Sequence, residues 1–120
     1  MKSLNNKVNL IGHLGFTPEI KTLNGGRKLA KVTIATNDTY KSDKGERVTE
    51  TQWHQLVAWG KTAELMERYT RVGSKIALEG KLLNRSYVDK SGQKRTVTEV
   101  QVNELMILNN WAGGEPEAEN

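Results

Sequence analysis

The sequence predicts an all-β fold that contains a single short helix, and three observations lead to this prediction. Apolar and polar residues alternate with a period of two over most of the chain, as in residues 27–39, where Ala30, Val32 and Ile34 share one side. Short polar or glycine-containing segments separate the alternating stretches, which is typical of strands joined by tight turns. Helical spacing of apolar residues is clear in residues 61–71 alone.

The predicted elements are five strands and one helix, joined by short connections. The strands are at residues 5–15, 27–39, 48–61, 74–89 and 93–109, and the helix is at residues 61–71. Between the first two strands, a short extended piece at 19–23 leads into Asn24-Gly25-Gly26, which favours a hairpin because these residues tolerate positive φ. Residues 40–47 are polar and contain a glycine, so they predict an exposed loop.

The helix prediction rests on four apolar residues at helical spacing, which are Ala63, Leu65, Met66 and Tyr69. Thr62 stands where an N-cap residue belongs, and Gly73 stands where a helix ends. We expect the apolar side of this short helix to close one open end of a barrel.

The order of the elements predicts the architecture. The last strand contains a continuous apolar run, residues 105–108, which predicts burial on both sides. Long strands, tight turns and one helix between the third and fourth strands are typical of the OB-fold, a five-stranded, partly open Greek-key barrel.

Composition predicts one domain with a basic body. At 120 residues, the chain suits a single domain at 1–109, followed by a short disordered acidic tail at 110–120. The net charge is +4, and three of the 14 acidic residues lie in that tail (Glu115, Glu117 and Glu119), so the body is more basic than the whole chain. A basic body suggests a polyanionic partner, although charge alone also suits a soluble basic domain.

Several classes of protein are disfavoured by what the sequence lacks. It has no cysteine, which excludes disulfides and thiolate metal sites and makes a reducing, cytoplasmic compartment the simplest expectation. No apolar run approaches the ~20 residues that cross a membrane, and the N-terminus shows no signal-peptide pattern, so no membrane partner is expected. The chain has two histidines and no recognisable nucleophile or acidic cluster beside them. We therefore expect no metal site, no cofactor and no catalysis.

The strand at residues 48–61, VTETQWHQLVAWGK, contains two tryptophans on one side. Trp53 and Trp59 are six residues apart, so they share a strand face with polar neighbours. Two flat rings on one face suit a platform on which nucleobases stack. Burial of one or both rings in the core is an equally good interpretation of this pair by itself.

The chain as a whole resembles the bacterial-type single-stranded DNA-binding protein (SSB) family over residues 5–108. The resemblance is carried by these stretches in order: NNKVNLIGHLG at 5–15, NGG at 24–26, IAT at 34–36, TQWH at 51–54, GK at 60–61, VGS at 72–74, LEGKL at 78–82, SG at 91–92 and TEV at 98–100. The resemblance implies an OB-fold that binds single-stranded DNA without sequence preference and protects it during replication, recombination and repair.

The resemblance also implies four positions on which bases stack. They fall on Tyr40, Trp53, Trp59 and Tyr87. Strict alternation puts Tyr40 on the core side of its strand, so a bulge or the bend of the loop has to turn it towards the other aromatic residues. Phosphate contacts are expected from basic residues near these aromatics, which are Lys61, Lys81, Arg85, Lys31 and Lys41.

Self-assembly is the last implication of the resemblance. The position of His54 lies at the subunit interface of a homotetramer in the family, and His54 points away from Trp53 on its strand. Family members recruit replication and repair proteins through an acidic C-terminal tip that contains Phe, whereas the last residues here, GGEPEAEN, are acidic without an aromatic residue.

Three other functions remain open at the level of sequence. An assembly subunit related to SSB would rely on protein contacts, but such proteins tend to lose the aromatic residues that this chain retains. A nuclease would need clustered carboxylates, and those of this chain are scattered. An RNA-binding OB domain is a nearer alternative, because base stacking hardly distinguishes DNA from RNA.

Overall fold

The computed structural model describes residues 5–108, which form six strands and one α-helix. Their bounds are β1 Val8–Leu14, β2 Glu19–Thr22, β3 Lys28–Lys41, β4 Arg47–Trp59, α1 Gly60–Tyr69, β5 Lys75–Val88 and β6 Lys94–Ile107. The predicted acidic tail at 110–120 lies outside the described residues. Within 5–108, no helix is long and apolar enough to cross a membrane.

The five long strands close into a barrel, which confirms the predicted OB-fold. Neighbours in the sheet follow the order β1-β5-β6-β4-β3-β2, and an additional pairing of β1 with β3 closes the cylinder. All pairs are antiparallel except β4 with β6, which run parallel. The short strand β2 extends one edge of β3 and is joined to it through a turn at Asn24–Gly26, so the predicted hairpin is confirmed.

The core follows the predicted alternation. Where β3 and β4 form the barrel wall, even-numbered residues such as Val32, Ile34 and Leu56 point inwards and are buried, while their odd-numbered neighbours point outwards. Helix α1 packs against β3, β4 and β6 and buries Ala63 and Met66 in the same cluster. The helix therefore closes one end of the barrel, as the sequence predicts.

Three details of the helix differ from the prediction. Gly60, at a φ of 60°, turns the chain directly from β4 into α1, so Trp59 occupies the N-cap position and Thr62 lies inside the helix. Leu65 and Tyr69 are exposed, because a ten-residue helix on a narrow barrel presents only one side to the core. The helix ends at Tyr69, and Thr70 caps it: its backbone N–H and Oγ1 both donate to the carbonyl oxygen of Met66.

The loop at residues 40–47 is shorter than predicted. The ladder between β3 and β4 continues to Lys41 and Arg47, so only residues 42–46 form the turn. The two strands thus make a long hairpin whose outer part projects beyond the barrel.

Burial on both sides of the apolar run at 105–108 is not seen in the single chain. Leu105 and Ile107 pack against the core, whereas Met106 is 64% exposed. Met106 lies opposite Ala77 of β5, which in turn lies opposite Ile11 of β1. These three residues form an outward apolar row, which we call the Ile11–Ala77–Met106 row.

Closure of the barrel depends on a close approach at Gly12. A Cβ atom placed on Gly12 would lie 2.2 Å from the backbone oxygen of Ala35 and 3.0 Å from Cγ1 of Ile34. Only glycine therefore permits β1 to lie against β3 at this point.

We predict that Gly12→Ala lowers the free energy of unfolding by about 1–3 kcal/mol, because backbone atoms have to move apart. Hydrogen exchange should also accelerate at the amide of Gly15, which bonds across this seam to the carbonyl of Thr33 at 2.9 Å. Gly25→Ala is the control: Gly25 lies in the turn between β2 and β3, where a φ of 88° strains an alanine but no atom lies within 4 Å, so stability falls without a collision at the seam. Wild-type exchange at Gly15 in Gly12→Ala would contradict the proposed closure.

Candidate nucleic-acid interface

One row of outward side chains links four strands of the barrel. Lys31 of β3 lies opposite Val57 of β4, which is aligned with Gln101 of β6, which lies opposite Lys81 of β5. Alternation then places the other odd-numbered residues of β3, β4, residues 81–87 of β5 and residues 95–101 of β6 on the same outer surface. Beyond Val102 an irregularity in the pairing of β5 with β6 changes the parity, so Leu105 and Ile107 point inwards. We call this surface the aromatic face; its defining residues are Lys31, Trp53, Trp59, Lys81, Arg85 and Tyr87.

Trp53 is the most exposed large ring on the aromatic face. Its side chain is 61% exposed, so the interpretation of Trp53 as a core residue is wrong. Trp53 sits over Gly15, where an added Cβ would come within 2.6 Å of the ring and 2.8 Å of Oγ1 of Thr33. The missing side chain of Gly15 therefore lets the indole lie against the barrel wall with much of its surface in solvent.

Trp59 is half-buried and has a partner that sequence reasoning missed. The guanidinium carbon of Arg27 lies 4.6 Å from the centre of the Trp59 ring, a cation–π geometry. Leu29 pairs with Trp59, and Arg27 precedes Leu29 by two residues. Because alternate residues of a strand share one side, the sequence could have placed Arg27 on the same face as Leu29 and Lys31.

Arg85 is paired with an acid that sequence reasoning also missed. Its Nε and Nη2 atoms donate to Oε1 and Oε2 of Glu99, both at 3.0 Å. Glu99 is 6% exposed, and the hydrogen bonds from Arg85 hold the pKa of its carboxyl below the usual range, with help from the charges of Arg85 and Lys31. Glu99 in turn raises the pKa of Arg85. Alternation on the last strand predicts that Glu99 points outward, but it does not predict that the side chain is buried.

Two shallow cavities flank Lys31 on the aromatic face. One, of about 260 Å³, is lined by Leu29, Lys31, Val57, Trp59, Leu83, Arg85 and Glu99. The other, of about 270 Å³, is lined by Phe16, Glu19, Lys31, Val32, Thr33, Gln55, Leu56 and Glu99. Lys31 and Glu99 border both cavities, so the face is indented and carries both signs of charge.

Tyr87 extends the aromatic face along the hairpin of β5 and β6. It is 48% exposed and lies opposite Arg95, on the same side as Arg85. The turn of this hairpin is organised by Asp89, whose Oδ1 accepts from Ser91 and Gln93 while its Oδ2 accepts from Nε of Arg95 at 2.8 Å. Arg95 therefore supports the hairpin that carries Tyr87.

Tyr40 is not turned towards the other aromatic residues. The pairing of β3 with β4 is continuous from Leu29 and Trp59 to Lys41 and Arg47, without a bulge, and the loop begins only after Lys41. Neither the bulge nor the loop bend expected from the sequence therefore turns Tyr40. Tyr40 lies opposite Val48, on the other side of the hairpin from Trp53, and is 48% exposed.

The remaining predicted phosphate contacts lie at the edges of the aromatic face. Lys41 is exposed and lies opposite Arg47, on the same side of the hairpin as Trp53. Lys61 is exposed in the first turn of α1, two residues after Trp59. Both positions are open to solvent, so a flexible cation at each can reach an approaching polyanion.

His54 lies on the opposite side of β4 from Trp53. It pairs with Ile34 in the ladder, and its Nε2 lies 3.1 Å from Oγ1 of Thr36. Of the residues in the described range 5–108, no three His, Asp or Glu side chains form a group that could hold a metal ion.

We predict that the carboxyl of Asp89 titrates with a pKa of about 2, below its usual 3.8, because Arg95, Gln93 and Ser91 donate to it. Because the folded-state pKa lies below the unfolded value, these hydrogen bonds stabilise the fold fully above about pH 4. This contribution to stability disappears as the pH falls towards 2 and the carboxylate is protonated. Carbon-detected NMR titration measures this pKa directly. Arg95→Gln should move it towards 3.8, whereas Arg47→Gln, on the other hairpin, should not; an unchanged Asp89 pKa in Arg95→Gln would contradict the assignment.

Comparisons with known proteins agree with this geometry. A family model described as "Single-strand binding protein family" matches residues 5–108. "Single-stranded DNA-binding protein 1" of Xylella fastidiosa (strain 9a5c) is 40% identical over 109 residues, which are 90% of this chain and 79% of that relative. The protein of the same description from Chlorobaculum tepidum is 38% identical over 104 residues, 86% of this chain and 64% of that relative.

A solved structure has the same fold. The structure titled "Plasmodium falciparum SSB complex with ssDNA" superposes with a TM-score of 0.80 at 32% identity, covering 87% of this chain and 95% of that one. The family match extends over the whole barrel and includes every residue of the aromatic face. The chain therefore belongs to the single-strand binding protein family.

Proposed function

We propose that this protein binds single-stranded DNA without sequence preference and protects it during replication, recombination and repair. The observation that carries the proposal is the exposed indole of Trp53 on a basic outer face that also presents Trp59 and Tyr87. The printed descriptions of its relatives and of the matching structure support the same function. We expect the protein to act in the cytoplasm, at the nucleoid, and not as an enzyme.

Bases stack on the aromatic rings in the proposed complex. Trp53 offers a ring that is already exposed, and Tyr87 offers a second on the hairpin of β5 and β6. Each base–aromatic stack contributes about 1–3 kcal/mol and accepts any base, because every base has a π-face. Tyr40 lies on the other side of its hairpin, so it stacks only with a strand that passes around the hairpin edge.

Phosphates meet the basic residues around these rings. Lys31 and Lys81 lie in one row across the face, and Lys41 and Lys61 lie at its edges. Neutralising phosphates releases counterions, so affinity falls as salt rises.

We predict that Trp fluorescence is quenched when an oligo-dT strand binds, and that Trp53→Ala weakens binding by about 1–3 kcal/mol because one stack is lost. Fluorescence titration of both proteins at several salt concentrations measures the effect. Tyr69→Ala is the matched control, because Tyr69 is a similarly exposed aromatic residue that lies on α1, outside the aromatic face.

Four outcomes bear on this proposal. Wild-type affinity in Trp53→Ala, or unchanged fluorescence at saturation, would exclude stacking on Trp53. Parallel titrations with duplex DNA and single-stranded RNA test the partner. Equal affinity for the duplex would contradict the proposed function, and tighter binding of RNA would reassign it.

The protein is proposed to assemble as a homotetramer. Met106 and Ile11 are exposed on the Ile11–Ala77–Met106 row, and a second copy of the chain would bury these apolar side chains. His54, on the opposite side of β4 from Trp53, is retained as an interface residue. Four copies multiply the aromatic face and let one strand of DNA bind several subunits at once.

We predict that Met106→Glu lowers the mass measured by light scattering below that of the wild-type assembly, because a charge would be buried between subunits. Leu65→Glu is the control, since Leu65 is exposed on α1, away from the row. An unaltered mass in Met106→Glu would place the subunit contacts elsewhere. A bulkier residue at His54 tests that position separately in the same measurement.

A further inference from the structure

Glu99 is an anomaly on a surface proposed to bind a polyanion. It is 6% exposed, and it borders both cavities beside Lys31 at the centre of the aromatic face. A carboxylate in this place repels phosphate, and nothing in the proposed stacking or phosphate contacts uses it. Its position therefore needs a role of its own.

The contact with Arg85 defines that role. Two parallel N–H···O bonds of 3.0 Å join the guanidinium edge to both carboxylate oxygens, which fixes the plane of the guanidinium. Arg85 has five N–H donors, and this pairing uses two of them. The side chain of Arg85 remains 48% exposed, so unused donors are available to a ligand while the group itself is held in one orientation.

The cavity next to this pair has the character of a nucleobase site. Leu29, Val57 and Leu83 supply apolar lining, and the indole of Trp59 and the fixed guanidinium of Arg85 are both planar. Lys31 and Glu99 complete the lining. Arg27 covers Trp59 but does not line the cavity, so it leaves this part of the indole accessible. A flat, partly apolar base suits this lining. A phosphate at Arg85 would lie next to the Glu99 carboxylate and be repelled by it, whereas Lys31 has no such bidentate partner within residues 5–108 and stays assigned to phosphate.

We propose that Arg85 contacts a nucleobase and not a phosphate, because Glu99 neutralises the charge of Arg85 and fixes its guanidinium plane as one wall of the cavity beside Trp59. This inference rests on the proposed binding of single-stranded DNA and changes the predicted role of Arg85 within it. Glu99 is the positioning residue, and Arg85 is the residue that contacts the base.

The proposal has a measurable electrostatic consequence. A cation that contacts phosphate releases counterions and adds about 0.7 to the slope of log affinity against log salt for a single strand. An ion pair with no net charge releases none. The contribution of Arg85 to the salt dependence is therefore expected to be absent in the wild type and to appear when Glu99 is neutralised.

The test compares the salt dependence of oligo-dT binding for the wild-type protein, Glu99→Gln, and the double variant Arg85→Gln with Glu99→Gln. Glu99→Gln keeps the shape of the side chain and releases Arg85, so its slope should increase by about 0.7 for each bound subunit, roughly fivefold in affinity over a tenfold change in salt. The double variant removes both charges, so its slope should equal that of the wild type while its affinity is lower at every salt concentration, because one wall of the cavity is lost.

Lys81→Gln is the control for phosphate contact, because Lys81 is exposed on the same face and pairs with Gln101, which is uncharged. Its slope should decrease by about 0.7. Thermal unfolding of each variant establishes that it folds; if Glu99→Gln alone does not fold, the double variant, which removes both members of the ion pair, still tests whether Arg85 meets phosphate.

The outcomes separate this inference from the proposed function. A slope that falls by about 0.7 in the double variant would show that Arg85 meets phosphate, and an unchanged slope in Glu99→Gln would show that Glu99 does not restrain it; either result overturns the inference and leaves DNA binding intact. Absence of oligo-dT binding by the wild-type protein would instead contradict the proposed function.

Discussion

The pairing of β4 with strands on both sides is the constraint on which the rest of the molecule depends. Antiparallel bonds to β3 and parallel bonds to β6 hold β4 in the barrel wall, and at this point Leu56 and Ala58 point into the barrel. Burial of Leu56 and Ala58 then forces Trp53 to the outside, and a slip of one residue would exchange the two sets. The same pairing that forms the core therefore displays the aromatic face.

Glycines allow the backbone to accept this arrangement. The closure at Gly12 brings β1 against β3, and Gly15, three residues later, leaves the space that Trp53 covers. Gly60 redirects the chain from β4 into α1 immediately after Trp59. Barrel closure, ring placement and helix entry thus depend on a few positions where a side chain would collide or the backbone would be strained.

The basic residues on and around the aromatic face are of two kinds: arginines that contact a partner within the chain, and lysines that are exposed to solvent. Arg85 is bound by Glu99, Arg95 is bound by Asp89, and Arg27 lies over Trp59, whereas Lys81, Lys41 and Lys61 are exposed to solvent. Arginine suits the paired positions because its planar fork binds a carboxylate at two points and stacks on aromatic rings. Lysine suits the exposed positions, where a flexible point charge can follow a moving phosphate.

The sequence by itself determined the fold class, the helix between the third and fourth strands, and the shared side of Trp53 and Trp59, because these follow from local periodicity. It placed Thr62 wrongly at the N-cap, since helix entry at Gly60 is set by the end of β4. Alternation put Tyr40 on the side opposite Trp53, as observed, but the bulge expected to turn it is absent, because the hairpin ladder is unbroken. Only the tertiary structure decided which basic residues have partners. Glu99 and Arg85 are 14 residues apart, and their contact exists because β5 and β6 pair in one register, which no local pattern specifies.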